Sequence, residues 1–180
     1  YYTIFNEGWG QHNSTEIYRK LKSYDSTRVW DTASGWFKGY ESDVQSEHVY
    51  FKPVNFSGEK GRPMVLSEFG GYSYTIEENS YNLDKTYGYK TCADKEAFTA
   101  DLEKLYLGEI VPMIKRGLNA TVLTQISDVE DETNGILTYD RKVVKPDAER
   151  MKKLADALYK AFPCGEGDPE VVDEASGLHL

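Results

Sequence analysis

The sequence predicts an α/β fold built on a parallel sheet with covering helices, and three observations carry that expectation. Short apolar runs rich in β-branched and aromatic residues recur along the chain and read as buried strands. From Asp94 onward the apolar period lengthens to that of a helix. Taken in order, the segments run strand, helix, strand, loop, strand, loop, strand, helix, strand, helix, an alternation that argues for helices over a parallel sheet. About five strands are counted, where a closed barrel of this type needs eight.

Tyr1–Phe5 is the first strand. Asn13 is positioned to cap the helix that follows, with Glu16 three residues on to return the bond. Ile17, Tyr18 and Leu21 form that helix's apolar face. Thr27–Trp30 is a short strand leading into the loop Asp31-Thr32-Ala33-Ser34-Gly35-Trp36. His48–Phe51 is the next strand, stopped by Pro53, and Pro63–Ser67 the one after. In the long helix beyond Asp94, Leu102, Leu105, Tyr106, Ile110 and Met113 share a face, Pro112 introduces a kink and Gly117 suits the end. Ala120–Ile126 is the last strand. Asp147–Phe162 is the last helix, with Pro146 near its first turn and Met151, Leu154, Leu158 and Phe162 facing inward. Residues 1–163 are expected to form one domain and 164–180 a flexible acidic tail.

Bulk composition narrows the function. The 180 residues, 39% of them apolar, suffice for one globular core. A net charge of −9 argues against a nucleic-acid or acidic-membrane partner. No run approaches the roughly 18 apolar residues of a membrane span. Cys92 and Cys164 lie far apart and read as two free thiols, a pair being the alternative. Asn13-Ser14-Thr15, Asn55-Phe56-Ser57 and Asn119-Ala120-Thr121 fit the glycosylation triplet, a short pattern that also arises by chance.

Two glutamates end apolar runs: Glu7 in Tyr2-Thr3-Ile4-Phe5-Asn6-Glu7, and Glu68 in Met64-Val65-Leu66-Ser67-Glu68. The backbone of a strand is fixed, so the residue at its end is aimed with little freedom. Two carboxyl groups so aimed suit acid/base or glycosidic chemistry, in which one holds a proton near neutral pH and the other stays ionised. The plainer alternative is that both merely cap the helices after them.

Four segments extend the pattern. Phe5-Asn6-Glu7-Gly8-Trp9-Gly10-Gln11, Asp31-Thr32-Ala33-Ser34-Gly35-Trp36, Leu66-Ser67-Glu68-Phe69-Gly70-Gly71, and Thr124-Gln125-Ile126-Ser127-Asp128 running on to Gly135, taken in this order and at these separations, resemble glycoside hydrolase family 2. The resemblance runs from Tyr1 to about Leu158. It implies a partial (β/α)8 TIM barrel, roughly the fourth strand to the eighth helix. In the family's roles, Glu7 is the acid/base and Glu68 the nucleophile of a retaining β-glycosidase. Asn6 is the asparagine that binds the sugar 2-hydroxyl. Tyr50 is the tyrosine that orients the nucleophile, packing being its alternative role. The implied mechanism is double displacement, with carboxyl groups about 5–5.5 Å apart; a separation near 8 Å would point to inversion. The expected partner is a β-glycoside carbohydrate, with no cofactor and no metal.

Trp9 and Trp36 follow loops at the active-site end and suit a sugar's apolar face, core packing being the alternative. Gln125 could point into the site, at a strand end where some family members carry a tryptophan that this chain lacks. Tyr72–Tyr89 is long for a connection and reads either as substrate wall or as cover for an adjoining domain. His48 reads as a structural histidine bonded to backbone, with substrate contact the alternative. Asp128–Glu132 lacks the spacing of a calcium loop and reads as solvated.

The resemblance also implies that an N-terminal half-barrel and β-sandwich domains belong to the parent protein, so the chain is expected to be a fragment. Its first strand then offers an unpaired edge that invites self-association. A family 5 endoglucanase is the nearest rival, and Gly8 after Asn-Glu speaks against it. A non-catalytic carbohydrate-binding or structural fragment is the rival from another class.

Overall fold

The computed structural model describes residues 1–8, 10–36 and 41–162. Trp9, Cys164 and the expected tail 164–180 lie outside the described residues. Five principal strands are β1 (Tyr2–Phe5), β2 (Trp30–Ala33), β3 (Gln45–Val49), β4 (Met64–Gly70) and β7 (Leu118–Thr124). Two short ones, β5 (Tyr72–Ser73) and β6 (Lys90–Thr91), lie between β4 and β7. Helix α1 spans Ser14–Tyr24 and α2 Lys95–Leu105; α2 runs through a π-helical stretch, Tyr106–Ile110, into α3, Val111–Ile114. Helix α4 spans Ala148–Ala161.

The expectation of a partial TIM barrel is not met. The strands form short parallel sheets, β1-β2, β3-β4-β7 and β5-β6, rather than one continuous wall. Among the described residues the α-helices make three bodies, α1, the α2–α3 run and α4, and do not alternate regularly with the strands. Parallel strands β3 and β4 are joined by residues 50–63 without a helix. Pro53, Gly58, Gly61 and Pro63 break any helical run there. Between β2 and β3, side chains meet where a backbone ladder would be: the Ser46 hydroxyl donates to Asp31 Oδ1 at 2.8 Å, and Ser34 Oγ, just past β2, lies 2.9 Å from His48 Nε2. The molecule is a small α/β fold.

Local chemistry explains the elements. Asn13 stands at the start of α1 in the left-handed conformation (φ 45°), which asparagine tolerates, and its side chain makes no cap bond. The expected capping box is therefore absent. Ile17, Tyr18 and Leu21 are half-buried. Tyr18 donates to Asp43 Oδ1 (2.9 Å) and Lys22 reaches Asp43 Oδ2 (2.7 Å), tying α1 to the segment before β3. Asp94 caps α2 by accepting from the Ala97 amide, and Asp147 caps α4 by accepting from the Arg150 amide. Pro146 thus lies outside α4, and Phe162 is exposed. The π-helical stretch lies directly before Pro112 and accommodates its ring and missing N–H where a kink was expected.

β4 is buried on both faces, as a central parallel strand should be. Leu66 and Phe69 from it pack with Val49, Leu105, Ile110 and Met113 in the main core. A smaller cluster joins Cys92, Phe98 and Leu102. The Cys92 thiol lies 3.4 Å from Asp101 Oδ2, and burial and that carboxylate push it up to about 12. The acidic segment is not all solvated: Asp128 is buried, pairs with the fully buried Lys145 at 2.7 Å, and leaves Asp131 and Glu132 to bond Lys85 and Gln125. Burial pushes Asp128 up and Lys145 down, and their mutual attraction opposes both shifts. Among the described residues no helix is long and apolar enough to cross a membrane.

Candidate functional site

Glu7 and Glu68 come together. Glu7 follows β1, whose end is held to β2 by the Ser34 amide donating to Phe5 O at 2.9 Å. Glu68 lies within β4, opposite His48 of β3. The register slips there: Leu66 faces Glu47 and Glu68 faces His48, so Ser67 is an extra residue on β4. The β4–β7 pairing slips over the same residues. Bulges of this kind re-aim a side chain, and here the re-aimed one is Glu68.

His48 stands between the carboxylates. Its Nδ1 lies 2.8 Å from Glu7 Oε2 and 3.3 Å from Glu68 Oε2. Its side chain is fully buried, while those of Glu7 and Glu68 remain 18% and 28% exposed and open to a ligand. The 2.8 Å contact is close, yet Glu7 Oε2 and His48 Nδ1 each lack an aligned hydrogen bond. One oxygen of each glutamate and a ring nitrogen of His48 lie within 4.8 Å of one another. His48 is thus bonded not to backbone but, through Nε2, to Ser34 Oγ at 2.9 Å. Gly35 makes room for the ring: its φ is +100°, and a Cβ there would lie 2.7 Å from His48 Cγ.

Tyr50 donates its hydroxyl to Glu68 Oε2 at 2.5 Å and lies 3.0 Å from Thr124 Oγ1. Burial first, then the bond to Glu68, hold its phenol far above the usual tyrosine range, so it stays a donor. Tyr50 Oη and His48 Nδ1 both approach Oε2 of Glu68. Behind Tyr50 the Tyr89 ring stacks at 3.7 Å and 5°, and Tyr87 meets Tyr89 edge-on. The long Tyr72–Tyr89 connection therefore buttresses the tyrosine that holds Glu68. A cavity of about 350 Å³ behind these rings, lined by Tyr50, Val54, Tyr72, Tyr89 and Glu109, is bordered by neither catalytic candidate.

The other expected site residues fare differently. Asn6 is exposed beside Glu7, and its backbone carbonyl accepts from Gln11. Trp36 is 61% exposed and so is not packed in the core. Gln125 turns its amide to Asn134 Oδ1 (2.8 Å) and Glu132 (3.1 Å), closing the loop after β7. Trp9 lies outside the described residues. Of the residues not assigned from sequence, His48 carried a usable signal: it stands two before Tyr50, and residues at i and i+2 of a strand share a face. Ser34, Tyr89 and Thr124 reach the site through contacts remote in sequence, which no local pattern announces. No protein-family model and no curated protein sequence matches this chain.

Proposed function

We propose that this chain carries the carboxylate pair of a retaining β-glycosidase, acting on O-glycosidic bonds of a carbohydrate by double displacement, as its resemblance to glycoside hydrolase family 2 implies. The observation that carries the reading is the convergence of Glu7 and Glu68, one oxygen of each within 4.8 Å of the other and of His48. Retention needs carboxyl groups about 5–5.5 Å apart, and inversion about 6.5–9.5 Å to admit a water. The close approach supports retention.

In this reading Glu68 attacks the anomeric carbon through Oε1, the oxygen not engaged by Tyr50 or His48. The bond to the leaving oxygen breaks, and that oxygen takes the proton held by Glu7. Glu7 then removes a proton from a water, whose oxygen displaces Glu68 from the anomeric carbon and releases the sugar. Tyr50 restricts the Glu68 carboxylate to one orientation, so less freedom is lost on reaching the transition state. Asn6, exposed one residue before Glu7, is the group proposed for the sugar 2-hydroxyl, and Trp36 the one for an apolar sugar face.

Proton NMR of a reaction on 2,4-dinitrophenyl β-glycosides tests this proposal. The expected first product is the β-anomer of the free sugar. The α-anomer appearing first, or no turnover of the galactoside, glucoside, mannoside or glucuronide, overturns it.

A further inference from the structure

We propose that Glu7, His48 and Glu68 form a binding site for one divalent first-row transition-metal ion of the zinc or cobalt type. The inference goes beyond the glycosidase reading and uses only the arrangement of these atoms. Ser67 Oγ has one hydrogen and gives it to the Glu47 carbonyl at 3.3 Å, an atom that can only accept. Ser34 Oγ therefore donates to Ser67 Oγ at 2.7 Å. With that hydrogen used, the 2.9 Å contact between Ser34 Oγ and His48 Nε2 has the ring N–H as donor.

In a neutral ring this tautomer turns the electron pair of Nδ1 toward Glu7 Oε2, 2.8 Å away, and Glu68 Oε2, 3.3 Å away. Three electron-rich atoms face one another. Two of them, His48 Nδ1 and Glu7 Oε2, are buried and without a hydrogen-bond partner among the described residues. A cation held among the three satisfies them together.

The donor set selects the ion. An imidazole nitrogen favours zinc and its neighbours over magnesium and calcium, which prefer oxygen alone. Three protein ligands leave a fourth position for water. Ligand bonds of about 2.0–2.2 Å put tetrahedral neighbours about 3.3 Å apart. The three atoms already lie 2.8, 3.3 and at most 4.8 Å apart, and the two partly exposed glutamates have room to close the remainder. Ser34 on Nε2 supplies the outer hydrogen bond that fixes the tautomer of a ligating histidine. Such an ion engages both carboxylates, so metal and glycoside exclude one another.

The test uses the tag-free full chain, freed of metal with a chelator. Zn²⁺ is titrated by calorimetry and Co²⁺ by visible absorption. One ion per chain and a ligand-field band without sulfur-to-cobalt charge transfer are expected. His48→Gln and Glu7→Gln should each weaken binding by at least tenfold, and Ser34→Ala by about tenfold. Thermal melting of each metal-free variant establishes that it is folded, and the cobalt spectrum of the parent chain is independent of every variant. Absence of saturable binding, a thiolate charge-transfer band, or affinity unchanged in folded His48→Gln and Glu7→Gln overturns the site. Glycosidase activity is measured separately in chelator, so its absence beside intact metal binding removes the catalytic reading and leaves the metal site standing.

Discussion

Replacing Tyr50 with phenylalanine removes one oxygen and keeps the ring. The lost contact is a 2.5 Å hydrogen bond to the Glu68 carboxylate, beside a 3.0 Å contact with Thr124 Oγ1. A hydrogen bond to a charged group contributes about 1.5–3 kcal/mol, and each 1.4 kcal/mol is about tenfold in rate, which brackets the loss at about 10- to 150-fold. Glu68 is 28% exposed, so water takes up part of the vacated bond and the lower half of that range is expected. The stack on Tyr89, at 3.7 Å and 5°, survives, so stability should change by only about 1 kcal/mol. The assay is steady-state hydrolysis of a 2,4-dinitrophenyl β-glycoside alongside thermal melting. Because Tyr50 aims the nucleophile without contacting the sugar in this account, kcat should fall with KM nearly constant. A rate within twofold of the parent chain, or a melting loss like that of a core truncation, would reduce Tyr50 to packing and refute the reasoning.

Three further outcomes are expected. Lys145→Met strands the buried Asp128 carboxylate and the carbonyls of Tyr74 and Thr133, so urea unfolding should show a loss of about 3–5 kcal/mol; a loss below about 1 kcal/mol would contradict the pairing. Tyr18, with burial the first cause and its bond to Asp43 the second, is pushed from 10.0 up to about 12; its folded state favours the protonated phenol, so that contribution is whole below pH 10 and lost as pH rises toward 12. Urea midpoints across that window should fall in the parent chain and flatten in Tyr18→Phe. Gly35→Ala sets a Cβ 2.7 Å from His48 Cγ at a φ of +100°, so it should destabilise by about 1–3 kcal/mol and lower hydrolysis together, both read on one preparation.

The strands and helices were legible because each carries its own periodicity. The apolar face of the α2–α3 run, from Leu102 to Met113, is buried apart from the half-buried Tyr106. Boundaries moved where polar residues took part in the sheet: Asp31 and Thr32 read as loop, yet both are fully buried in or beside a ladder because Ser46, Ser42 and Glu41 supply their hydrogen bonds. Barrel-like alternation failed because residues 50–63 carry no helix and β2 and β3 share no ladder, side chains such as Ser46 on Asp31 meeting between them instead. Pairings of that kind leave no periodic trace. The same limit applied at the site. Glu7, Glu68 and Tyr50 were singled out from their positions near strand ends and from resemblance, whereas the bulge at Ser67 and the wedge of His48 depend on register between strands.

The most direct measurement is mass spectrometry of the protein after reaction with an activated 2-deoxy-2-fluoro β-glycoside in chelator. A mass increase of one fluorosugar per chain, mapped by peptide sequencing to Glu68 and absent in Glu68→Gln, is what the account predicts. Labelling on any other residue, or an unmodified chain with every sugar offered, would contradict it.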